Sequence, residues 1–326
     1  MLEHGGRIRQ AAERYGIPPA ECLDLSTGIN PLGWRVPPLP PECWRQLPEL
    51  DDGLEQAARS YYGCAGLLAT AGSQAAIQAL PGLRQPCRVG LLAPSYAEHA
   101  QAWARGGHHV EMLAPAEIEA SLERIDVLLL VNPNNPTGTR FAPETLLAWH
   151  RRLAARGGWL VVDEAFMDAT PEDSLASHAG AEGLVLLRSL GKFFGLAGVR
   201  AGFVLAWPKL LNQMNEVLGP WTVAHPARWV AQRTLQDQPW QAAERQRLAR
   251  ESLRLAELLA RHGLAPAGGT ALFQWVATGR APAIQEALAR QGIWLRRFAA
   301  PASLRFGLPG AEAEWQRLEQ ALQGLS

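Results

Sequence analysis

The chain is short of lysine. Of its 31 basic side chains only two are lysines, Lys192 and Lys209, so a residue wanted simply for positive charge is written here as arginine. Cysteine is scarce as well. Cys22, Cys43, Cys64 and Cys87 lie far apart in the first third of the chain and form no C-x-x-C pair. That spacing argues against a zinc site or a disulfide framework and for reduced thiols. Net charge is missing, since 31 acidic side chains balance the 31 basic ones. This leaves no electrostatic footprint for nucleic acid or an anionic membrane. No apolar run approaches the length of a membrane span, and the start of the chain holds no hydrophobic signal core. The expectation is a cytoplasmic protein with no metal, nucleic-acid or membrane partner. At 326 residues it can bury a sizeable core as one large or two medium domains.

What is present is an alternation. Short apolar runs at 67–71, 88–93, 125–131, 159–162, 184–187 and 203–206 read as buried strands. Helical patterns stand between several of them, at 53–62 and 145–155 for example, with Gly63 and Gly157-Gly158 as stops. Strands alternating with helices predict an α/β fold with a mostly parallel sheet. Residues 31–50 are too rich in proline for a regular helix. After Trp207-Pro208 the texture changes to charged helices (209–262), then short strands at 272–276, 293–297 and 303–307 with helices between and after them. The expected organisation is an N-terminal segment (1–45) joining a small domain, a large domain (46–208), and a smaller α+β domain (209–326) that includes a linking helix.

Ligands in parallel α/β sheets sit beyond the carboxyl ends of the strands. Asn135, Asp163 and Lys192 each fall just past such an end, which points to one shared site. Tyr96 follows the 88–93 run and could stack on a planar ring. Ser73 and Gln74 open a helix whose free N–H groups suit a phosphate. Lys192 sits among glycines, with Ser189 three positions before it and Arg200 eight after. Lysine can form a Schiff base and arginine cannot.

The run from Ser189 to Arg200, written S-x-x-K-x-x-G-x-x-G-x-R, resembles the lysine motif of fold type I pyridoxal-phosphate (PLP) enzymes, the aspartate-aminotransferase superfamily. Asn132 to Gly138 and Asp163-Glu164 match the same family's N-P-x-N-P-T-G and D-E elements. The resemblance covers nearly the whole chain. It implies a seven-stranded large domain plus a smaller α+β domain, PLP as cofactor, and a homodimer. It implies that Lys192 holds PLP and that Asp163 pairs with the ring nitrogen. Asn135 would donate to the phenolic oxygen, Tyr96 would stack, and Ser73, Gln74, Ser189 and Arg200 would hold the phosphate. Arg305, in Leu304-Arg305-Phe306-Gly307, resembles the arginine that clamps a substrate carboxylate.

Within the superfamily the chain looks like two families, the histidinol-phosphate aminotransferases and the threonine-phosphate decarboxylases of cobalamin synthesis. Phe166 in D-E-A-F, His4-Gly5-Gly6 and the segment from Ser26 to Gly33 look like the decarboxylases. There His4, Gly5 and Asn30 would meet a small phosphorylated amino acid, and the implied product is (R)-1-amino-2-propanol phosphate. Leu47-Pro48-Glu49 stands where relatives often carry Tyr-Pro-Asp, so a cofactor contact from that tyrosine is missing or replaced. A transaminase acting on histidinol phosphate and a PLP-binding regulator without turnover remain the alternatives.

Overall fold

The structure is a computed structural model and describes residues 4–325. Its strands, in chain order, are β1 (Leu23–Asp24), β2 (Leu68–Thr70), β3 (Arg88–Leu92), β4 (His109–Leu113), β5 (Val127–Val131), β6 (Trp159–Asp163), β7 (Leu184–Ser189), β8 (Gly202–Leu205), β9 (Gly268–Thr270), β10 (Phe273–Ala277), β11 (Ile293–Trp294), β12 (Arg296–Phe298) and β13 (Ser303–Gly307). They fall into two compact units. One comprises Trp34–Asn135 and Arg140–Ala242, the other Met1–Gly33, Pro136–Thr139 and Ala243–Ser326.

The larger unit holds a seven-stranded sheet in the order β2-β8-β7-β6-β5-β3-β4. From β4 to β7 all neighbours are parallel, while β8 runs antiparallel to both β7 and β2. β5, β6 and β7 are buried along their whole length, as continuous Val/Leu runs in a parallel sheet with two covered faces must be. Val127, Leu129, Val161, Val185, Leu187 and Val204 form the centre of one packed layer. β4 escaped the sequence reading. It is the sheet's edge, and His109 and Met112 face solvent, so its apolar signal is diluted.

Two helices of the charged 209–262 stretch, Pro208–Leu218 and His225–Gln236, group with this larger unit rather than the smaller one. The first packs Leu210 and Met214 into the apolar core of the sheet, and the second carries a buried charge. Arg228 is 2 % exposed, and its guanidinium donates to Asp52 and Glu55, each at 2.7 Å. A pattern that looks like a solvated helix face is in part an ion cluster packed on helix Leu54–Tyr62.

The smaller unit has an antiparallel sheet, β12-β13-β10-β9, and a short parallel pairing of β1 with β11. The 293–297 run, read as one strand, is split at the buried Leu295: β11 pairs with β1 and β12 with β13. Gly138, at φ 75°, packs against the backbone of Gly269 too closely for any Cβ. This close approach explains why the glycine that ends the N-P-x-N-P-T-G element belongs to this unit. Among the described residues no helix is long and apolar enough to cross a membrane, and no group of side chains could hold a metal ion.

Candidate cofactor site

The strand order of the larger unit gathers the expected residues at one edge. β3, β5, β6 and β7 are parallel, so Tyr96, Asn135, Asp163 and Lys192 all follow or close strands on the same side. β8 runs the other way, so its first residue, Gly202, lies at that side too, opposite Ser189. Arg200 stands two residues before it. β2 is antiparallel to β8, so Thr70 pairs with Gly202, and Ser73 and Gln74 follow at the same edge. The hydrogen-bond register thus brings together residues spread over more than a hundred positions.

Asp163 is 3 % exposed. One oxygen accepts from the His99 ring Nε2 at 2.9 Å, and the other accepts the Ala165 N–H at 3.0 Å. His99 is 1 % exposed and was not singled out in the sequence; its signal was a second titratable residue one turn after Tyr96. The Tyr96 hydroxyl donates to Gln74 at 3.4 Å, and Gln74 donates in turn to Glu98 at 3.0 Å. Burial first, then the charges of Glu98 and Asp163, push the Tyr96 phenol up to about 12, so it keeps its proton at any ordinary pH. Lys192 is half-buried, with Nζ 5.5 Å from the centroid of the Phe166 ring. Asn132 and Asn134 use their amides on backbone: Asn132 exchanges hydrogen bonds with Phe141 of its own loop, and Asn134 donates to the Pro94 carbonyl of the loop after β3 at 2.9 Å. Asn135, next along, is half-buried.

Gly72 carries φ 70° and ψ 164°, a region open essentially to glycine alone. A Cβ there would come within 2.8 Å of the Arg200 guanidinium, so the turn before Ser73 and Arg200 are in contact. Arg200 itself is left-handed, at φ 56°. Gly72→Ala is therefore expected to lower stability by roughly 1–3 kcal/mol, measured by denaturant unfolding, and an unchanged midpoint would contradict the close packing.

Behind the edge lies a cluster that the sequence did not suggest. Arg188, 1 % exposed, donates to Glu164 and Asp168, both 0 % exposed, at 2.6 Å each. Ser174 and the Leu175 N–H also donate to Glu164, and Tyr61 donates to Asp168 at 3.0 Å. Arg188 directly precedes Ser189, and Glu164 directly follows Asp163.

In the smaller unit, the His4-Gly5-Gly6 turn is pinned to Ser26. The Gly6 N–H donates to the Ser26 hydroxyl at 2.8 Å, and a Cβ on Gly5 would collide with the Ser26 carbonyl. Arg305, 7 % exposed, donates to that same carbonyl at 2.5 Å. His4, Gly5 and Arg305 therefore meet around Ser26, which sequence reasoning had named only as the start of a family-like segment. Arg296 is the register partner of Arg305 on the neighbouring strand, so both side chains leave the same face of the sheet. Burial and the Arg296 charge pull the Arg305 pKa down to about 10, still a cation at neutral pH. Two guanidiniums on one face disfavour each other and favour an anion. A cavity of about 400 Å³ lined by His4, Gly5, Arg7, Ser26, Arg296 and Arg297 adjoins them. Asn30 donates to Glu244 at 2.5 Å and accepts from Arg247 at 2.6 Å in a buried cluster.

The donor set fits the expected cofactor. Asp163 is a buried carboxylate of the kind that keeps a pyridine nitrogen protonated. Ser73, Gln74, Ser189 and Arg200 are hydroxyl, amide and guanidinium donors suited to a phosphate. The comparison with known proteins agrees. The profile of the family described as aminotransferase class I and II matches residues 22–325. A protein of Pseudomonas aeruginosa named threonine-phosphate decarboxylase is 58 % identical over 324 residues, 99 % of this chain and 98 % of its own. One of the same name from a Sinorhizobium species is 42 % identical over 328 residues, 98 % and 97 % of the two chains. Among solved structures, histidinol-phosphate aminotransferase from Sinorhizobium meliloti in complex with pyridoxal-5'-phosphate superposes with a TM-score of 0.84 at 20 % identity, over 100 % of this chain and 96 % of that one. The fold, the donor set and a match over almost the full length lead to one conclusion: the chain belongs to the aminotransferase class I and II family and takes pyridoxal phosphate as its cofactor.

Proposed function

We propose that the chain is a carboxy-lyase that decarboxylates L-threonine O-3-phosphate. The observation that carries this reading is the full-length likeness to a threonine-phosphate decarboxylase. The paired Arg296 and Arg305 support it, since the substrate carries a carboxylate and a phosphate. When bound, PLP supplies an electron sink for the pair left on Cα as a bond there breaks. The chain supplies the rest. Lys192 holds the cofactor and is the amine placed to carry a proton. Asp163, steadied by His99, keeps the ring nitrogen protonated. Ser73, Gln74, Ser189 and Arg200 hold the cofactor phosphate, Asn135 its phenolic oxygen, and Tyr96 packs on the ring. Arg305 takes the substrate carboxylate, and His4 with Gly5 borders the phosphate.

Which bond breaks depends on how the substrate is turned, and the anion contacts set that orientation; a small misplacement is costly. The test is incubation of the PLP-loaded protein with L-threonine O-3-phosphate. The expected result is continuous CO₂ release with no 2-oxo acid added. A strict need for a 2-oxo acid beyond the first turnover would instead indicate transamination. Arg305→Ala is expected to weaken substrate binding by roughly 30-fold or more, the loss of a charged, buried contact, with PLP affinity nearly unchanged. Equal substrate affinity in variant and parent would remove Arg305 from the clamp. The reading includes a cytoplasmic homodimer. Trp44, Leu47, Leu50 and Trp221 of the larger unit are exposed apolar side chains consistent with a covered face, and light scattering should give about twice the chain mass of 35.5 kDa.

A further inference from the structure

At the amino end of β3, far along the strands from Asp163, the Cys87 Sγ lies 3.3 Å from His108 Nδ1. His108 is 6 % exposed and packs edge-on against Trp103 at 4.6 Å. Its tautomer is fixed twice over. Nε2 lies 2.9 Å from the Pro81 carbonyl, which can only accept, so Nε2 bears the hydrogen. The Cys87 N–H donates to Nδ1 at 3.2 Å, so Nδ1 bears a lone pair. A carbonyl at Nε2 serves the neutral ring and the imidazolium alike. The ring can therefore take the thiol proton without turning, giving up only the backbone contact.

Cys87 is half-buried and lines an open cavity of about 540 Å³ with Arg84, Asp126, Trp159, Trp207 and Lys209. The Arg84 guanidinium, braced on the Gly157 carbonyl at 2.9 Å, borders the same cavity. The other thiols differ. Cys43 and Cys64 are buried, and the Cys22 Sγ lies 4.0 Å from the Ile17 carbonyl.

We propose that Cys87, with His108 as its base and Arg84 beside it, is a modification site that reduces small hydroperoxides and becomes a sulfenic acid. The thiol proton passes to Nδ1 as sulfur attacks the outer peroxide oxygen. An S–O bond forms and the O–O bond breaks; sulfur loses two electrons and the peroxide gains them. The leaving oxygen, facing Arg84, takes the proton back and departs as water or an alcohol. Burial, with a smaller push from Asp126, raises the Cys87 pKa more than Arg84 lowers it, so the resting group is a thiol, and its reactivity depends on the base rather than on a standing thiolate.

The test treats the PLP-loaded protein with hydrogen peroxide, traps sulfenic acid with dimedone, and reads the four cysteines by peptide mass spectrometry. The expected result is an adduct on Cys87 roughly tenfold or more ahead of Cys22. Cys87→Ser removes that adduct and leaves turnover unchanged. His108→Asn lowers Cys87 labelling by roughly tenfold or more and leaves Cys22 unaltered. Because that variant could disturb folding, the rate of Cys87 alkylation by iodoacetamide in the parent protein is followed from pH 7 to 8.5. Base assistance gives a shallow profile. A tenfold rise per pH unit, or labelling of Cys22 as fast as Cys87, would overturn the proposal.

Discussion

Replacing Lys192 by alanine is expected to abolish covalent attachment of PLP and to lower turnover by roughly 10³-fold or more. The expectation rests on position. Lys192 is the amine that follows β7 at the edge where Asp163 closes β6 and Arg200 precedes β8. Scarcity supplies a control, because Lys209 is the chain's other lysine. It lines the cavity beside Cys87, at the opposite ends of the strands. Borohydride treatment of the PLP-loaded parent should place one phosphopyridoxyl group on Lys192, and Lys209→Arg should leave colour, adduct and turnover unchanged. An adduct on Lys209 alone, or a Lys192→Ala variant that still turns over at the parent rate, would refute the assignment.

Arg188→Met is expected to cost roughly 3–5 kcal/mol of folding stability, the usual penalty for removing one partner from a fully buried ion cluster. The variant strands Glu164 and Asp168, both without solvent contact, opposite an apolar side chain. Burial alone would disfavour the Arg188 charge, but Asp168 and Glu164 outweigh it and hold its pKa well above the ordinary value. The sign follows from linkage. A base whose folded pKa is raised contributes stability that is fully present below its unfolded value and is lost only as pH climbs past it. The Arg188 contribution is therefore constant across the neutral range, and the loss is read by urea unfolding of parent and variant at pH 7. Adding Glu164→Gln and Asp168→Asn to the variant should restore part of the loss, because the stranded charges then disappear. A loss below about 1 kcal/mol, the range of an exposed pair, would mean that water reaches the cluster. Since Glu164 adjoins Asp163 and Arg188 adjoins Ser189, PLP affinity should fall as well.

Much of this was legible in the chain itself, and what was not shares a cause. β5, β6 and β7 announce themselves because a strand buried on both faces is written as an unbroken Val/Leu run. β4, the edge strand, carries no such signal. Asp163, Lys192 and Arg200 could be picked out because each sits in a short local motif. His99, Ser26, Arg296 and the Arg188 cluster could not. Their importance lies in partners 9 to 279 positions away, and an isolated histidine, serine or arginine has the same appearance on any solvated face. The charged stretch after Trp207 misled for that reason: Arg228 looks like a surface residue until Asp52 and Glu55 are found around it.

By itself the sequence determined the strand–helix alternation, the parallel core and the family, because periodicity and local motifs are properties of neighbours along the chain. Only the tertiary structure decided which side chains meet. Strand order and register turned four separate loops into one edge, set Arg296 beside Arg305, and fixed the His108 tautomer against Cys87. Hydrogen bonds and ion pairs act over about 3 Å of space, and distance along the chain does not enter into them.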